Sequence, residues 1–443
     1  MADHLPDNRS ETAFADYKLP LAREQAIVEA NRCLFCTDAP CIKACPTRID
    51  IPQFIRKIST DNVKGSARTI FEANILGMSC ARVCPVEVLC VGACVYNLEE
   101  MPPIQIGRLQ RYATDAAFEK GWRLFEAGPD TGKSVGLIGG GPASLAAAHE
   151  LRRLGHRCTI YEKRSTLGGL NATGVAPYKM RSDKALEEVE WILAIGGIDV
   201  KLGVSVGDDL PLADLETRHD AMFVGVGLGA DSMLRVPGED LQGVRGAVAW
   251  IEEMKLGRVA MTDVRRCVVI GGGNTAVDAV REALGLGIKS VTMLYRGSEE
   301  GMSAYEHEWH AAKGQGARVQ WRAVPIAFEG HGKLERVRCA SLDENKRTIA
   351  GSEFTIEADL ALMAIGQSKL GQMLAGLEGI RVDRGRIVTE ADGGAGRKGW
   401  FAGGDCANGG KEVVNAAAEG KSAAGAIHAY LAGEVGESGG KHA

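Results

Sequence analysis

Four cysteines, Cys33, Cys36, Cys41 and Cys45, crowd the segment RCLFCTDAPCIKACP, and a proline follows the last of them. A second set, Cys80, Cys84, Cys90 and Cys94, lies in SCARVCPVEVLCVGAC, again with a proline after Cys84. Cys158, Cys267, Cys339 and Cys406 are scattered singly through the rest of the chain. Such clustering separates ligands from ordinary buried thiols. A disulfide framework needs an oxidising compartment, and the opening MADHLPDNRSETAFADY has neither the basic start nor the apolar core of a secretion signal. Metal is therefore the expected partner. No histidine stands between His4 and His149, which removes the mixed Cys/His zinc patterns, although thiolate-only sites admit zinc as well as iron–sulfur clusters. Two proline-punctuated runs fit two iron–sulfur clusters better. In the ferredoxin run the cysteine before the proline serves the other cluster. By that logic Cys33, Cys36 and Cys41 hold one cluster and Cys94 returns to it, while Cys45 crosses over to join Cys84 and Cys90. The second cluster is then one ligand short, with Cys80 as a spare candidate.

These loops need a scaffold. Between the cysteine runs, IPQFIRKISTDNVKGSARTIFEAN places apolar residues at helical spacing and reads as helices. Further on, SVGLIGGGPASLAAAHELRRLGHRCTIYEK reads as strand, glycine turn, helix and a second strand ending in an acid. Gly139 makes the turn, Gly141 lets the backbone approach a pyrophosphate, and the helix N-terminus supplies a positive dipole end. Glu162 closes the second strand, where a carboxylate accepts from a ribose 2′-hydroxyl. Ser144 takes the place of the third glycine, so the signal lies in the whole unit rather than in the glycines alone. A second such unit, RRCVVIGGGNTAVDAVREALGLGIKSVTMLYRGSEE, repeats the turn with Gly271, Gly273 and Ala276, but its second strand ends in Tyr295-Arg296 instead of an acid. Near the C-terminus, GWFAGGDCANGGKEVVNAAAEGKSAAGAIHAYL reads as a strand ending at Asp405 and then a helix of small residues. An acid there can reach a ribityl chain, and the next helix can face a flavin ring. The first unit and this stretch are thus expected to form one FAD domain, interrupted by a nicotinamide unit.

Bulk properties exclude other classes. A formal charge of -5 carries no nucleic-acid footprint, and no apolar run approaches the roughly 18 residues of a membrane span. A length of 443 residues suggests about three domains. The expected class is soluble and cytoplasmic. His307 and His310 in AYEHEWHAAKG have H-x-x-H spacing, but on an amphipathic helix they read as surface residues.

Across residues 20 to 432 the chain resembles the N-terminal half of dihydropyrimidine dehydrogenase and the free-standing bacterial electron-input subunit of that family. RCLFCTDAPC, ACPTRIDI, ARVCPVEVLC, PIQIGRLQRYATD and GPAS carry the likeness. The small subunit of glutamate synthase is a more distant relative. The five-residue gap between Cys84 and Cys90, Gln110 and Ser144 all favour the pyrimidine branch. The resemblance supplies the missing ligand: a glutamine in the IGxLQ segment, here Gln110, coordinates the second cluster, leaving Cys80 outside the ligand set.

The resemblance further implies an α/β fold, with an N-terminal α-helical domain of two 4Fe–4S clusters at 1–128. Two Rossmann-like dinucleotide-binding domains follow, the second (256–354, NAD(P)) inserted in the first (129–255 with 355–443, FAD). FAD contacts carry over to Gly139, Gly140, Gly141, Pro142, Ala143, Glu162, Leu170, Lys179, Asp405, Lys411, Glu412 and Val413. Nicotinamide contacts carry over to Gly272, Gly273, Asn274, Thr275, Arg296, Ala364, Ile365 and Gly366. Relatives that use NADPH offer further basic side chains where this chain has Gly297 and Ser303, with Glu299 and Glu300 nearby. A phosphate of about two charges wants more than one cation, so NADH is the favoured donor. Pyrimidine reduction in the fused enzyme occurs on an FMN-containing barrel of about 250 residues, for which these domains leave no room. The expected role is an electron-input subunit in a hetero-oligomer with such an FMN-containing catalytic partner. Hydride transfer to a flavin needs stacking and orientation more than an acid or base, so no catalytic constellation is expected.

Overall fold

The computed structural model describes residues 5–259 and 261–433. Its N-terminal part is helical: Arg23–Asn31, Pro40–Ala44, Ile51–Ser59, Val63–Ala73, Gly77–Val83 and Ile106–Glu119. Local chemistry starts two of these. Asp50 accepts from the Gln53 N–H at 3.1 Å, with Pro52 in the first turn, and Asn62 accepts from the Gly65 N–H at 3.0 Å. Phe54, Ile55, Ile58, Ile70 and Leu109 face inward and are fully buried, each contributing about 1.5–3 kcal/mol. The same apolar cluster continues through Leu145 and Ile160 to Ile427, so the helical part and the first sheet share one core.

That sheet is parallel, in the order Trp400–Ala402, Ala221–Val224, Ser134–Ile138, Arg157–Glu162, Ile198–Leu202. Its central strand pairs Val135 with Cys158 on one side and Ala221 on the other. The strand after residue 399 thus joins the strands before 225, which interleaves the two chain segments as expected. Helices Pro142–Arg153 and Val413–Leu431 pack face to face because both carry small residues. A Cβ on Gly420 would lie 2.1 Å from the Ala143 carbonyl oxygen.

A second parallel sheet has the order Val244–Gly246, Leu360–Met363, Arg266–Ile270, Ser290–Tyr295, Arg318–Trp321. It draws strands from both sides of the expected 256–354 segment, because the Rossmann strand Arg266–Ile270 needs an edge partner and finds it in Leu360–Met363. Antiparallel strands Ala323–Glu329, Arg336–Leu342 and Thr348–Glu357 form a third sheet beside it. Among the described residues, no helix is long and apolar enough to cross a membrane.

Candidate functional site

The first glycine turn is set by conformation. Gly139 has φ +93°, and a Cβ there would lie 2.6 Å from the Gly225 carbonyl oxygen. Beyond it, Gly141 caps helix Pro142–Arg153, and a Cβ built there would make only ordinary contacts, with the Gly225 carbonyl oxygen at 3.9 Å and Gly169 Cα at 4.0 Å. Glu162 is buried at its strand end, its Oε2 accepting from the Gly140 N–H at 2.7 Å and its Oε1 from the Arg164 N–H at 2.8 Å. These surfaces belong to a cavity of about 480 Å³, within the size range of ligand sites. Leu170, Lys179, Asp405, Lys411, Glu412 and Val413 share its walls with Gly139, Pro142 and Ala143. Asn171, also on the wall, is buried and leaves its Oδ1 without a partner. An orphaned buried acceptor in a cavity lined by a glycine turn fits a flavin dinucleotide, whose ring and ribityl chain carry donors. Asp405 accepts from the Lys411 N–H at 3.1 Å, and burial lifts its carboxyl above the usual range.

Lys179 is committed elsewhere than the resemblance alone suggests. Its ammonium pairs with Asp278 at 2.9 Å and Glu308 at 2.8 Å, both from the nicotinamide unit. Burial alone would lower its pKa, but the two carboxylates outweigh it and hold the ammonium charged. Tyr305 donates its hydroxyl to Glu412 at 2.7 Å. Asp278, Tyr305 and Glu308 all line the cavity, and none was singled out by motif.

The second glycine turn opens onto the same space through Asn274. Gly273 caps helix Asn274–Gly285, with Thr275 in its first turn, and Asn274 Oδ1 accepts from the Tyr305 N–H at 3.0 Å. A Cβ on Gly271 would meet the Ala364 carbonyl oxygen at 2.3 Å, and one on Gly272 the Tyr295 ring at 2.5 Å. Ala364 therefore flanks the turn, with Ile365 and Gly366 following it in the chain. Arg296 is exposed at the end of strand Ser290–Tyr295. Ser303 donates its N–H to the Gly272 carbonyl at 3.2 Å, and Glu299 is occupied by Trp309 at 2.9 Å and Lys313 at 2.5 Å. His307 stands 3.4 Å from Glu87, while His310 is exposed, so the H-x-x-H pair does not converge.

None of the twelve cysteines is paired in a disulfide. Cys33, Cys36, Cys41 and Cys94 surround one hollow walled by Pro40, Ile51, Pro52, Ile55 and Ile104. Burial, then the neighbouring Cys33, pushes the Cys41 thiol up to about 12. Among the described residues no three ligating side chains converge tightly enough for a single ion. Four thiols ringing an apolar hollow suit a thiolate-held metal centre. Cys45, Cys84 and Cys90 are buried together: the Cys90 thiol is raised by burial, then by Cys84 and Cys45. Cys80 lies against Cys84 and raises its thiol further. Gln110 is buried on helix Ile106–Glu119 and donates one Nε2 proton to the Gly77 carbonyl at 2.8 Å, which fixes the amide end that faces Gly77.

The family described as dihydropyrimidine dehydrogenase domain II, 4Fe-4S cluster, matches residues 9–122, and the pyridine nucleotide-disulphide oxidoreductase family matches residues 133–420. The chain is 36% identical to the NAD-dependent dihydropyrimidine dehydrogenase subunit PreT of Escherichia coli K12, over 92% of this chain and 95% of that one. It is 32% identical to the glutamate synthase (NADPH) small chain of the same organism, over 94% of both. Among solved structures, FprA from Mycobacterium tuberculosis shares the fold with TM-score 0.56 at 19% identity, covering 68% of this chain and 85% of that one. Thioredoxin reductase from Lactococcus lactis does so with TM-score 0.55 at 21% identity, covering 68% and 99%.

Proposed function

This chain belongs to the pyridine nucleotide-disulphide oxidoreductase family and carries an iron–sulfur domain of the dihydropyrimidine dehydrogenase type; on that premise we propose that it is the electron-input subunit of a pyrimidine-reducing complex. It is an NAD(P)H-dependent flavoprotein oxidoreductase. In the proposed role it takes hydride from NADH onto FAD and passes electrons through two 4Fe–4S clusters. They leave to an FMN-containing catalytic subunit that reduces uracil and thymine to their 5,6-dihydro forms, in a cytoplasmic hetero-oligomer. The observation that carries this reading is a cavity walled by the first glycine turn and reached by Asn274, the first helical residue after the second, set against a helical domain whose thiols gather in two groups.

When bound, the flavin converts a two-electron donor into single electrons, and the clusters carry them. The chain's own residues orient. Gly139 to Ala143 and Glu162 would hold the FAD adenosine and pyrophosphate, and Asp405 with the backbone of Lys411 to Val413 the ribityl chain and ring. Gly272 to Thr275, Arg296 and the Ala364 to Gly366 turn would hold the nicotinamide nucleotide. Lys179, paired with Asp278 and Glu308, ties the two dinucleotide units together across the cavity and keeps the nicotinamide side seated over the flavin side. Cys33, Cys36, Cys41 and Cys94 are assigned to the first cluster, and Cys45, Cys84, Cys90 and Gln110 to the second.

With Arg296 as the cation nearest the ribose end, NADH is expected to have the higher kcat/KM. Ser303→Arg should shift the ratio toward NADPH by about tenfold, or about 1.4 kcal/mol. Steady-state kinetics with both donors checks this, and a wild-type preference for NADPH would overturn it.

The test of function is NADH oxidation with uracil. The isolated chain should reduce artificial acceptors but not uracil. Adding an FMN-containing dihydropyrimidine dehydrogenase catalytic subunit should restore uracil reduction. Uracil reduction by the chain alone would sink the reading, and stimulation by a glutamate synthase large subunit instead would assign it as a glutamate synthase small subunit.

A further inference from the structure

Glu188 lies on helix Ser182–Leu193 of the flavin side and is fully buried. Its carboxylate reaches into the helical domain. Oε1 accepts from the N–H groups of Met78 at 2.8 Å and Ser79 at 3.2 Å, and Oε2 accepts from the Ser79 N–H at 3.2 Å and from the Ser79 hydroxyl. These donors form the first turn of helix Gly77–Val83, which carries Cys80 and runs directly into Cys84. Gln110 grips the same turn through the Gly77 carbonyl, and Asn171, a wall of the flavin cavity, donates Nδ2 to Ser79 Oγ at 2.9 Å. One helical turn is thus held by the flavin wall, by a buried carboxylate and by the amide assigned to the second cluster.

No cation neutralises this carboxylate directly. Helices Gly77–Val83, Pro142–Arg153 and Gly169–Thr173 pack against its own. The first offers Cys80 and Arg82, and Arg82 is paired with Asp115 at 2.7 Å. On the second, His149 faces Phe125, Arg152 donates to the Gly196 and His156 carbonyls, and Arg153 pairs with Glu150 and Glu72. The third has no ionisable side chain. Trp191 also touches Phe71 and Phe118, on helices where Arg68 pairs with Glu72 and Arg111 with Asp115, and Glu119 and Lys120 beyond Phe118 are exposed. Arg82 is the charged group that faces Glu188. Burial lifts the Glu188 carboxyl to about 7, against the pull of the Ser79 and Met78 hydrogen bonds and of Arg82.

We propose that Glu188 is the charge-compensating group for electron arrival at the second cluster, its carboxylate taking up one proton from solvent as that cluster gains one electron from the reduced flavin. The flavin loses one electron and the cluster gains it, while a solvent hydronium gives up one O–H bond as one O–H bond forms on Glu188. The physical cause is mutual: negative charge added near a buried carboxylate raises its proton affinity, and the bound proton in turn favours the electron. Glu188 acts through the helix and is a positioning residue. The inference rests on the two-cluster reading above.

The test is a potentiometric titration of the purified holoprotein from about pH 6 to 9, following the second cluster by its paramagnetic signal. The potential should be flat on the acid side of about pH 7 and fall above it by up to ~59 mV per pH unit, a tenfold change in equilibrium per unit for one electron. Glu188→Gln should give a flat line. Ser79→Ala keeps the carboxyl but removes a hydrogen bond to its charged form, so its break should move to higher pH. A flat wild-type line, or a Gln variant with the wild-type slope, overturns the inference while leaving the cluster assignment standing. Iron sufficient for only one cluster overturns the two-cluster reading, and this inference with it.

Discussion

Replacing Cys41 with serine is expected to leave NADH-driven bleaching of the flavin near the wild-type rate while cutting electron delivery to a protein acceptor by at least about a hundredfold. Cys41 lines the first hollow with Cys33, Cys36 and Cys94, and none of the four lines the cavity of the first glycine turn, so the hydride step keeps its contacts. On the proposed assignment the exit loses one of four ligands. A serine oxygen is a harder, less readily ionised ligand than a thiolate and does not replace it on iron. Stopped-flow absorbance separates the two steps, and iron and flavin contents confirm that only iron has changed. Cys33→Ser and Cys94→Ser should give the same residual cluster spectrum as each other, since the two thiols face one hollow from distant parts of the chain. Undiminished delivery by Cys41→Ser would mean that electrons leave without this cluster.

The second large effect is at Gly139. Gly139→Val should yield a protein that purifies without flavin. The position has φ +93°, and any Cβ would press to 2.6 Å from the Gly225 carbonyl oxygen. A left-handed backbone alone costs an ordinary residue about 1–2 kcal/mol, and a β-branched one more. The clash adds to that by pushing apart the strands that frame the pyrophosphate site. Gly132→Ala is the matched control, because φ there is +73° but nothing lies within 4 Å of a built Cβ. It should retain flavin at a modest loss of melting temperature. Flavin absorbance per protein checks both, and a Gly139→Val protein with a full complement of flavin would refute the assignment of this turn.

Local signals made much of this legible in the sequence. Gly139 to Glu162 announces a dinucleotide unit because turn, dipole and acid must occur at fixed spacing, and the helices between the cysteine runs show in their apolar periodicity. What was hidden depends on residues far apart in the chain. Lys179 finds Asp278 and Glu308 about a hundred or more positions away, and Glu188 finds Ser79 at a similar remove. No periodicity encodes such pairs. Strands Val244–Gly246 and Leu360–Met363 escaped for another reason: with three and four residues, they are too short to show alternation, and only the edge of the neighbouring strand defines them. Tyr305 had no motif at all; its place over the cavity follows from the loop that returns to Gly272.

The interleaved first sheet sets an order of events during synthesis. Strand Ala221–Val224 leaves the ribosome with one edge unpaired, and its partner Trp400–Ala402 is not made until the whole nicotinamide unit has been translated. At about 5–20 residues per second that is a wait of roughly ten seconds or more. The inserted unit has its own sheet and core and can close in that interval, whereas the flavin side must hold an open edge. A nascent chain should therefore gain affinity for the nicotinamide nucleotide before it can retain flavin. The exposed edge at Ala221–Val224 is where chaperone protection matters most.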